Sequence, residues 1–132
     1  MNPFRCFLFL CLAFYGGKAA AQRIVYSDYD RDENRRTTFE VIGKVSGNFL
    51  VYKNARNRSY ITVYDNDMKQ IGREDLKTLP DDRLINIDFF PYADHAWLIY
   101  EYQKKSVVYC NAIQVNGRGE QVGDPVELDT SH

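Results

Sequence analysis

Two stretches of the chain resemble each other about fifty residues apart, and this repeat constrains the fold more than any other feature of the sequence. Leu50-Val51-Tyr52 is echoed by Leu98-Ile99-Tyr100 at an offset of 48 residues, and Gln70-Ile71-Gly72 is echoed by Gln121-Val122-Gly123 at an offset of 51. A period of this length is typical of a four-stranded antiparallel unit. The repeat therefore predicts an all-β chain that contains two such units.

Eight segments rich in β-branched and aromatic residues are separated by sequences that favour turns. The strongest hairpin signal is Asn116-Gly117, and Asp65-Asn66-Asp67 occupies the matching place in the first unit. Only residues 74–79 are compatible with a helix. The pattern predicts an antiparallel meander of two units, about 39–80 and 81–129, with strands at 38–45, 48–54, 59–64, 69–75, 84–90, 96–103, 106–115 and 120–128.

The central strands of each unit are apolar at consecutive positions, as in Phe49-Leu50-Val51-Tyr52 and Trp97-Leu98-Ile99-Tyr100. Successive side chains of a strand point to opposite faces, so these strands need apolar cover on both sides. Stacked sheets provide that cover, whereas a closed eight-stranded barrel, the main alternative, predicts alternation in every strand. The last strand of each unit is more polar, and the second contains Pro125, so we expect edge strands there.

In these features the chain resembles secreted or periplasmic bacterial β-propeller proteins, over residues 39–128. It has neither the Trp-Asp dipeptide nor the double glycine of two common propeller repeats, and no functional residue is carried over. Known propellers have at least about four blades. The resemblance therefore implies two propeller-blade-like repeats of an incomplete β-propeller, either an amino-terminal fragment of a longer protein or a half-ring that assembles with other copies.

Residues 1–21 have the layout of a secretory signal peptide. Arg5 precedes an apolar run at 6–15, and Ala19-Ala20-Ala21 supplies small residues before Gln22. Ten apolar residues are about half of the ~20 that cross a bilayer. We expect cleavage after Ala21, a charged lead-in at 22–38 and an all-β region at 39–132, in a secreted or periplasmic protein with no stable membrane span after processing.

Without the leader, the chain has 15 basic and 18 acidic residues, a net charge of −3. No basic surplus is present to neutralise phosphates, so nucleic acid is not an expected partner. An unidentified protein or a glycan is expected instead, and an uncovered sheet face would allow self-association. Cys110 is the one cysteine left after processing, and we expect it to be a buried, unpaired side chain.

Few residues could carry chemistry. We predict no catalytic residue, no cofactor and no metal, because zinc spacings, phosphate-binding glycine loops and nucleophile motifs do not occur. The series Asp28-Tyr29-Asp30-Arg31-Asp32 begins like a calcium-binding EF-hand loop, but Glu33 replaces the required glycine and Phe39 the last ligand. The weak candidates for ligand contact are Tyr92, Asp94 and His95, which share one loop.

Three classes of function are compatible with these residues. The favoured one is an exported binding or scaffolding module of the cell envelope that is not an enzyme. The second is a glycan-acting propeller enzyme whose catalytic residues lie mostly outside this chain, with Asp88 and Asp94 as the only suggestive carboxylate pair. The third is a purely structural repeat segment, because one fold can serve many functions.

Overall fold

A computed structural model describes residues 24–26, 37–80 and 83–131. The leader at 1–21, most of the lead-in at 22–38, and the carboxylate series from Asp28 to Asp32 lie outside the described residues. The cleavage site and the rejection of a calcium loop therefore stay predictions. The eight strands of the sequence analysis all lie within the described ranges.

The described residues form eight β-strands, which confirms the predicted all-β meander. Their ends differ from the predicted ones by at most three residues, and the largest difference is the longer last strand. The strands are β1 (Thr37–Val45), β2 (Asn48–Ala55), β3 (Arg58–Tyr64), β4 (Gln70–Asp75), β5 (Leu84–Pro91), β6 (His95–Lys104), β7 (Val107–Asn116) and β8 (Gln121–Ser131).

These strands build two separate antiparallel sheets, a first sheet in the order β1-β2-β3-β4 and a second in the order β5-β6-β7-β8. Neither sheet closes on itself, so the eight-stranded closed barrel, which was the main alternative from the sequence, is not formed. The polar strands β4 and β8 lie at sheet edges. Pro125 of β8 has no amide hydrogen to donate, and an edge strand tolerates this because one of its sides has no partner strand. Of the helix-compatible residues 74–79, the first two end β4, and the rest form a turn in which the Leu79 amide donates to the Leu76 carbonyl at 3.2 Å.

The two sheets pack face to face around one apolar core. The rings of Tyr52 and Phe89, from opposite sheets, lie 5.2 Å apart. Burial of such apolar surface is the main term that stabilises the fold. The buried members of the core are Ile42, Val45, Leu50, Tyr52, Ile61, Val63, Leu76 and Leu79 on the first-sheet side, and Ala96, Leu98, Tyr100, Ile113 and Val115 on the second.

Strand β1 runs beside β5 in the same direction. Of the strands of the second sheet, β5 and β6 are the ones that β1 contacts most. At one end, the Ser46 amide, just after β1, donates to the carbonyl of Ala93, just after β5, at 2.7 Å. At the other end, Thr38 of β1 and Leu84 of β5 line the same groove. Strand order and direction are therefore preserved between the sheets.

The β3–β4 and β7–β8 turns share one bonding pattern. The Asp65 amide donates to the Lys69 carbonyl and the Asn116 amide to the Glu120 carbonyl, both at 3.0 Å. In each turn the side-chain oxygen of the first residue accepts two backbone amides, at 2.9 Å and 2.9 Å for Asp65 and at 2.9 Å and 3.1 Å for Asn116. The predicted match between these turn positions is therefore seen in the hydrogen bonds, despite their different sequences.

The ladder register differs from the sequence echo by one residue. Phe49 pairs with Tyr64, directly before the β3–β4 turn, and Ala96 pairs with Val115, directly before the β7–β8 turn. Counted from the turns, Leu98 therefore corresponds to Val51 and not to Leu50. Because neighbouring residues of a strand point to opposite faces, Leu50 and Leu98 both point into the single core between the sheets.

Cover on both sides, expected for all the central strands, is found in the first sheet, on β2 and β3, and is incomplete on β6 of the second sheet. Leu50, Val51 and Tyr52 are all buried, whereas β6 alternates between buried and half-buried positions. The outer face of the second sheet is thus apolar and accessible, with Phe90, Val122 and Val126 at 46–49% exposure beside half-buried Trp97 and Ile99.

Cys110 lies on the same outer face and is half-buried, which is less shielded than expected from the sequence. It is a free thiol. Partial burial raises the pKa of this thiol, and the nearby carboxylates of Glu101 and Asp129 raise it further by a smaller amount. Because the thiolate is the reactive form, Cys110 is a weak nucleophile at neutral pH.

Candidate functional site

The structure brings the three predicted ligand-contact residues together in the β5–β6 turn. The Tyr92 amide donates to the His95 carbonyl at 2.8 Å, and the two rings stack with centroids 4.8 Å apart. The imidazole Nδ1 of His95 lies 2.6 Å from Asp94 Oδ1. All three side chains therefore interact within the turn, and their role in ligand contact stays a prediction.

This turn also fastens the two sheets at one end. The carbonyl of Ala93 accepts the Ser46 amide at 2.7 Å, and the carbonyl of Asp94 lies 3.5 Å from the Ser46 hydroxyl that donates to it. Beside it, the Asn48 side-chain amide donates to the Gly117 carbonyl at 3.1 Å. The turns of both sheets are thus held together, and the contacts of the Asp94 and His95 loop explain its geometry without a ligand.

Replacement of His95 by glutamine is expected to raise the pKa of the Asp94 carboxyl toward its ordinary value. The hydrogen bond from His95, and then its charge, lower this pKa in the folded chain. The Asp94–His95 pair therefore adds stability above the ordinary aspartate pKa, and this is lost as the pH falls through the lowered value. NMR titration of the Asp94 carboxyl carbon measures the change.

Tyr92→Phe is the matched control for this prediction, because it retains the ring that stacks on His95 and removes only the phenolic hydroxyl. We expect the Asp94 titration to be the same in Tyr92→Phe and in the parent protein. An Asp94 pKa that does not move in His95→Gln would show that the 2.6 Å contact is not kept in solution.

The two carboxylates considered for a glycan-acting enzyme lie on different elements. Asp88 lies within β5 and accepts the Asn86 side-chain amide at 3.0 Å, whereas Asp94 lies in the turn beyond the strand. Neither carboxylate lines the groove between β1 and β5 or the cavity beside Tyr102 and Lys104. Within the same residues, no group of three or more potential metal ligands is found.

A groove of about 420 Å³ lies between the first strands of the two sheets. We call it the β1–β5 groove. It lies at the end opposite to the fastened turns, where the inward-facing residues of β1 are polar and the sheets do not close over them. Its lining consists of Thr38, Phe39, Glu40, Tyr52, Asn54, Asn57, Arg83, Leu84, Ile85, Asn86 and Ile87.

The two walls of the groove differ in chemistry. The first sheet supplies two directly opposed pairs, Thr38 with Asn54 and Glu40 with Tyr52, so this wall is polar. The second sheet supplies Leu84 and Ile87, two half-buried apolar side chains of the core rim. A ligand in this groove would therefore meet hydrogen-bonding groups on one side and hydrocarbon on the other.

Sequence reasoning did not find the groove, because its residues are common types from three separate segments of the chain, 38–40, 52–57 and 83–87. Thr38 and Glu40 belong to the first predicted strand or its start, and Arg83 directly precedes the fifth predicted strand. The available signal was the change along β1, where polar Thr38 and Glu40 are followed by buried Ile42 and Val45 on the same side. That change indicates that β1 is packed at one end only.

Comparison with known proteins gives no relative for this chain. No protein-family model matches it, and neither a curated protein nor a solved structure matches it significantly. Over residues 24–26, 37–80 and 83–131, no helix has the length and apolar character that crossing a bilayer would require. Functional inference therefore depends on the geometry of the chain itself.

Proposed function

We propose that this chain is an exported binding module that is not an enzyme and that holds its ligand in the β1–β5 groove. The observation that carries this proposal is the pairing of a polar wall and an apolar wall at the open end of the sheet packing. Small-molecule sites typically combine a small number of precisely placed polar groups with apolar surface. The groove volume of about 420 Å³ falls within the usual range of such sites, roughly 300–1,000 Å³.

The proposal includes a blade-like relation between the sheets. Preserved strand order, the shared turn pattern and the offset of Val51 to Leu98 support two consecutive copies of one unit. In a propeller, such units would continue on the outer face of the second sheet, where Phe90, Val122 and Val126 are exposed. In the isolated chain a second copy would cover this face, and light scattering would detect that self-association.

Export of the module rests on the leader-like residues 1–21, with cleavage after Ala21, and the protein would then act in the secreted or periplasmic space. The runner-up, a glycan-acting enzyme, lacks a specific observation, since Asp88 and Asp94 line neither the β1–β5 groove nor the cavity beside Tyr102 and Lys104. Binding is therefore the function that the geometry supports best.

Chemical-shift mapping of the processed chain with mixtures of small sugars, amino acids and short peptides tests this function. We expect at least one class to shift the backbone amides at 38–40, 52–54 and 84–87. Glu40→Gln should weaken that response, because it removes a charged acceptor from the polar wall. Glu74→Gln, which changes an exposed carboxylate on the other edge strand, should not. Shifts confined to other surfaces, or equal effects of the two variants, would contradict the proposal.

A further inference from the structure

The polar wall of the β1–β5 groove is held in place by hydrogen bonds behind it. The Ser59 hydroxyl oxygen lies 2.9 Å from the Tyr52 hydroxyl and accepts the Asn54 side-chain amide at 3.1 Å. With its NH₂ group directed to Ser59, Asn54 retains its side-chain carbonyl oxygen as an acceptor. The wall therefore presents fixed acceptors to a ligand rather than freely rotating ones.

Charge in the groove is balanced. The lining contains one carboxylate, that of Glu40, and one guanidinium, that of Arg83. Together they give the groove a formal charge of zero. A strongly anionic or cationic ligand would meet one repelling group for each attracting one, whereas a neutral ligand could accept from Arg83 and donate to Glu40.

The opposite wall and the rim are mostly apolar, with Arg83 and Asn86 as their polar residues. Leu84 and Ile87 form the wall, and Phe39 and Ile85 stand at the rim with 71% and 55% of their surface exposed. Ile85 is turned outward by a β-bulge, since Leu84 pairs with Tyr102 and the next paired residue is Asn86. Bulges of this kind often re-aim a side chain beside a binding site.

We propose that the β1–β5 groove binds a neutral saccharide, an inference that rests on the proposed binding function. A pyranose ring has a hydroxyl edge and a face of C–H groups, which match the polar wall and the apolar wall of the groove. Hydroxyl groups both donate and accept, so they satisfy Glu40, Asn54 and Arg83 at the same time. The planar carboxylate and guanidinium groups can each bond two neighbouring hydroxyls.

Titration of the processed chain with maltotriose, cellotriose and chitotriose, followed by NMR of the backbone amides, tests this inference. The comparison ligands are tri-galacturonate, which is anionic, and the tripeptide Gly-Phe-Gly. We expect at least one neutral trisaccharide to give saturable shifts at 38–40, 52–54 and 84–87. Glu40→Ala should weaken its affinity about tenfold, because a hydrogen bond to a charged group is lost. Glu74→Ala is the matched control and should leave the affinity unchanged.

The outcomes separate this inference from the function on which it rests. Saturable binding of a neutral trisaccharide in the groove, weakened by Glu40→Ala and not by Glu74→Ala, supports both. If only tri-galacturonate or the tripeptide shifts the groove amides, the saccharide assignment is overturned and the binding function stands. If neither these ligands nor the broader mixtures shift them, both proposals fail.

Discussion

Replacement of Leu98 by alanine is expected to destabilise the folded chain by about 2–5 kcal/mol, and Leu50→Ala should cost a similar amount. Both side chains are fully buried in the core between the two sheets. Each change removes apolar contacts and leaves a cavity that a tightly packed core fills only partly. Urea unfolding of the processed chain, followed by the fluorescence of Trp97, measures the free energy of unfolding.

The double variant provides a stronger test, because both leucines stabilise the same core. The two losses together would amount to about 4–10 kcal/mol, out of a typical total of roughly 5–15 kcal/mol. We therefore expect Leu50→Ala with Leu98→Ala to be largely unfolded at 25 °C. Gln70→Ala, on an edge strand, is the control and should cost about 0.5 kcal/mol or less. If Leu98→Ala were as mild as this control, the face-to-face packing would be wrong.

The strands of this fold could be predicted from the sequence because local chemistry determines them. β-branched and aromatic runs predicted all eight, and turn residues such as Asp65 and Asn116 predicted where the chain reverses. Polar composition also identified β4 and β8 as edges. In each case the deciding property lies within a few neighbouring residues, so no knowledge of the distant packing was needed.

Register could not be predicted in the same way. An alternating strand fixes which face is buried, but a run such as Leu50-Val51-Tyr52 is apolar on both faces and tolerates a shift by one residue. The echo of Leu50 in Leu98 is therefore a likeness of composition, whereas the hydrogen-bond ladders align Leu98 with Val51. Turn geometry, which depends on single polar side chains, was the more reliable guide to equivalent positions.

The predicted site and the observed groove lie at opposite ends of the sheet packing. Tyr92, Asp94 and His95 were predicted as ligand contacts. In the structure, Asp94 lies within hydrogen-bond distance of His95 and the Tyr92 ring stacks on the His95 ring. The β1–β5 groove depends instead on how far two sheets separate. Ile42 and Val45 pack into the core at the other end of β1, and such long-range packing is not encoded in a short sequence motif.

Gly119→Ala is expected to destabilise the chain by about 2–5 kcal/mol through two separate effects. Gly119 has a φ of +77°, a left-handed conformation that costs an alanine roughly 1–2 kcal/mol. A Cβ atom there would also lie 3.0 Å from a methyl group of Ile61 in the first sheet. Relieving that overlap in a packed core typically costs about 1–3 kcal/mol more. The loss is measured by the same urea unfolding.

Gly123→Ala separates these two effects, because Gly123 has nearly the same φ, +76°, and no atom within 4 Å of an added Cβ. It should show only the conformational cost of about 1–2 kcal/mol. The difference between the two variants then reports how closely the β7–β8 turn packs on Ile61 of the first sheet. Equal losses for Gly119→Ala and Gly123→Ala would mean that this turn does not contact the first sheet in solution, and the two sheets would then be joined less tightly than the structure indicates.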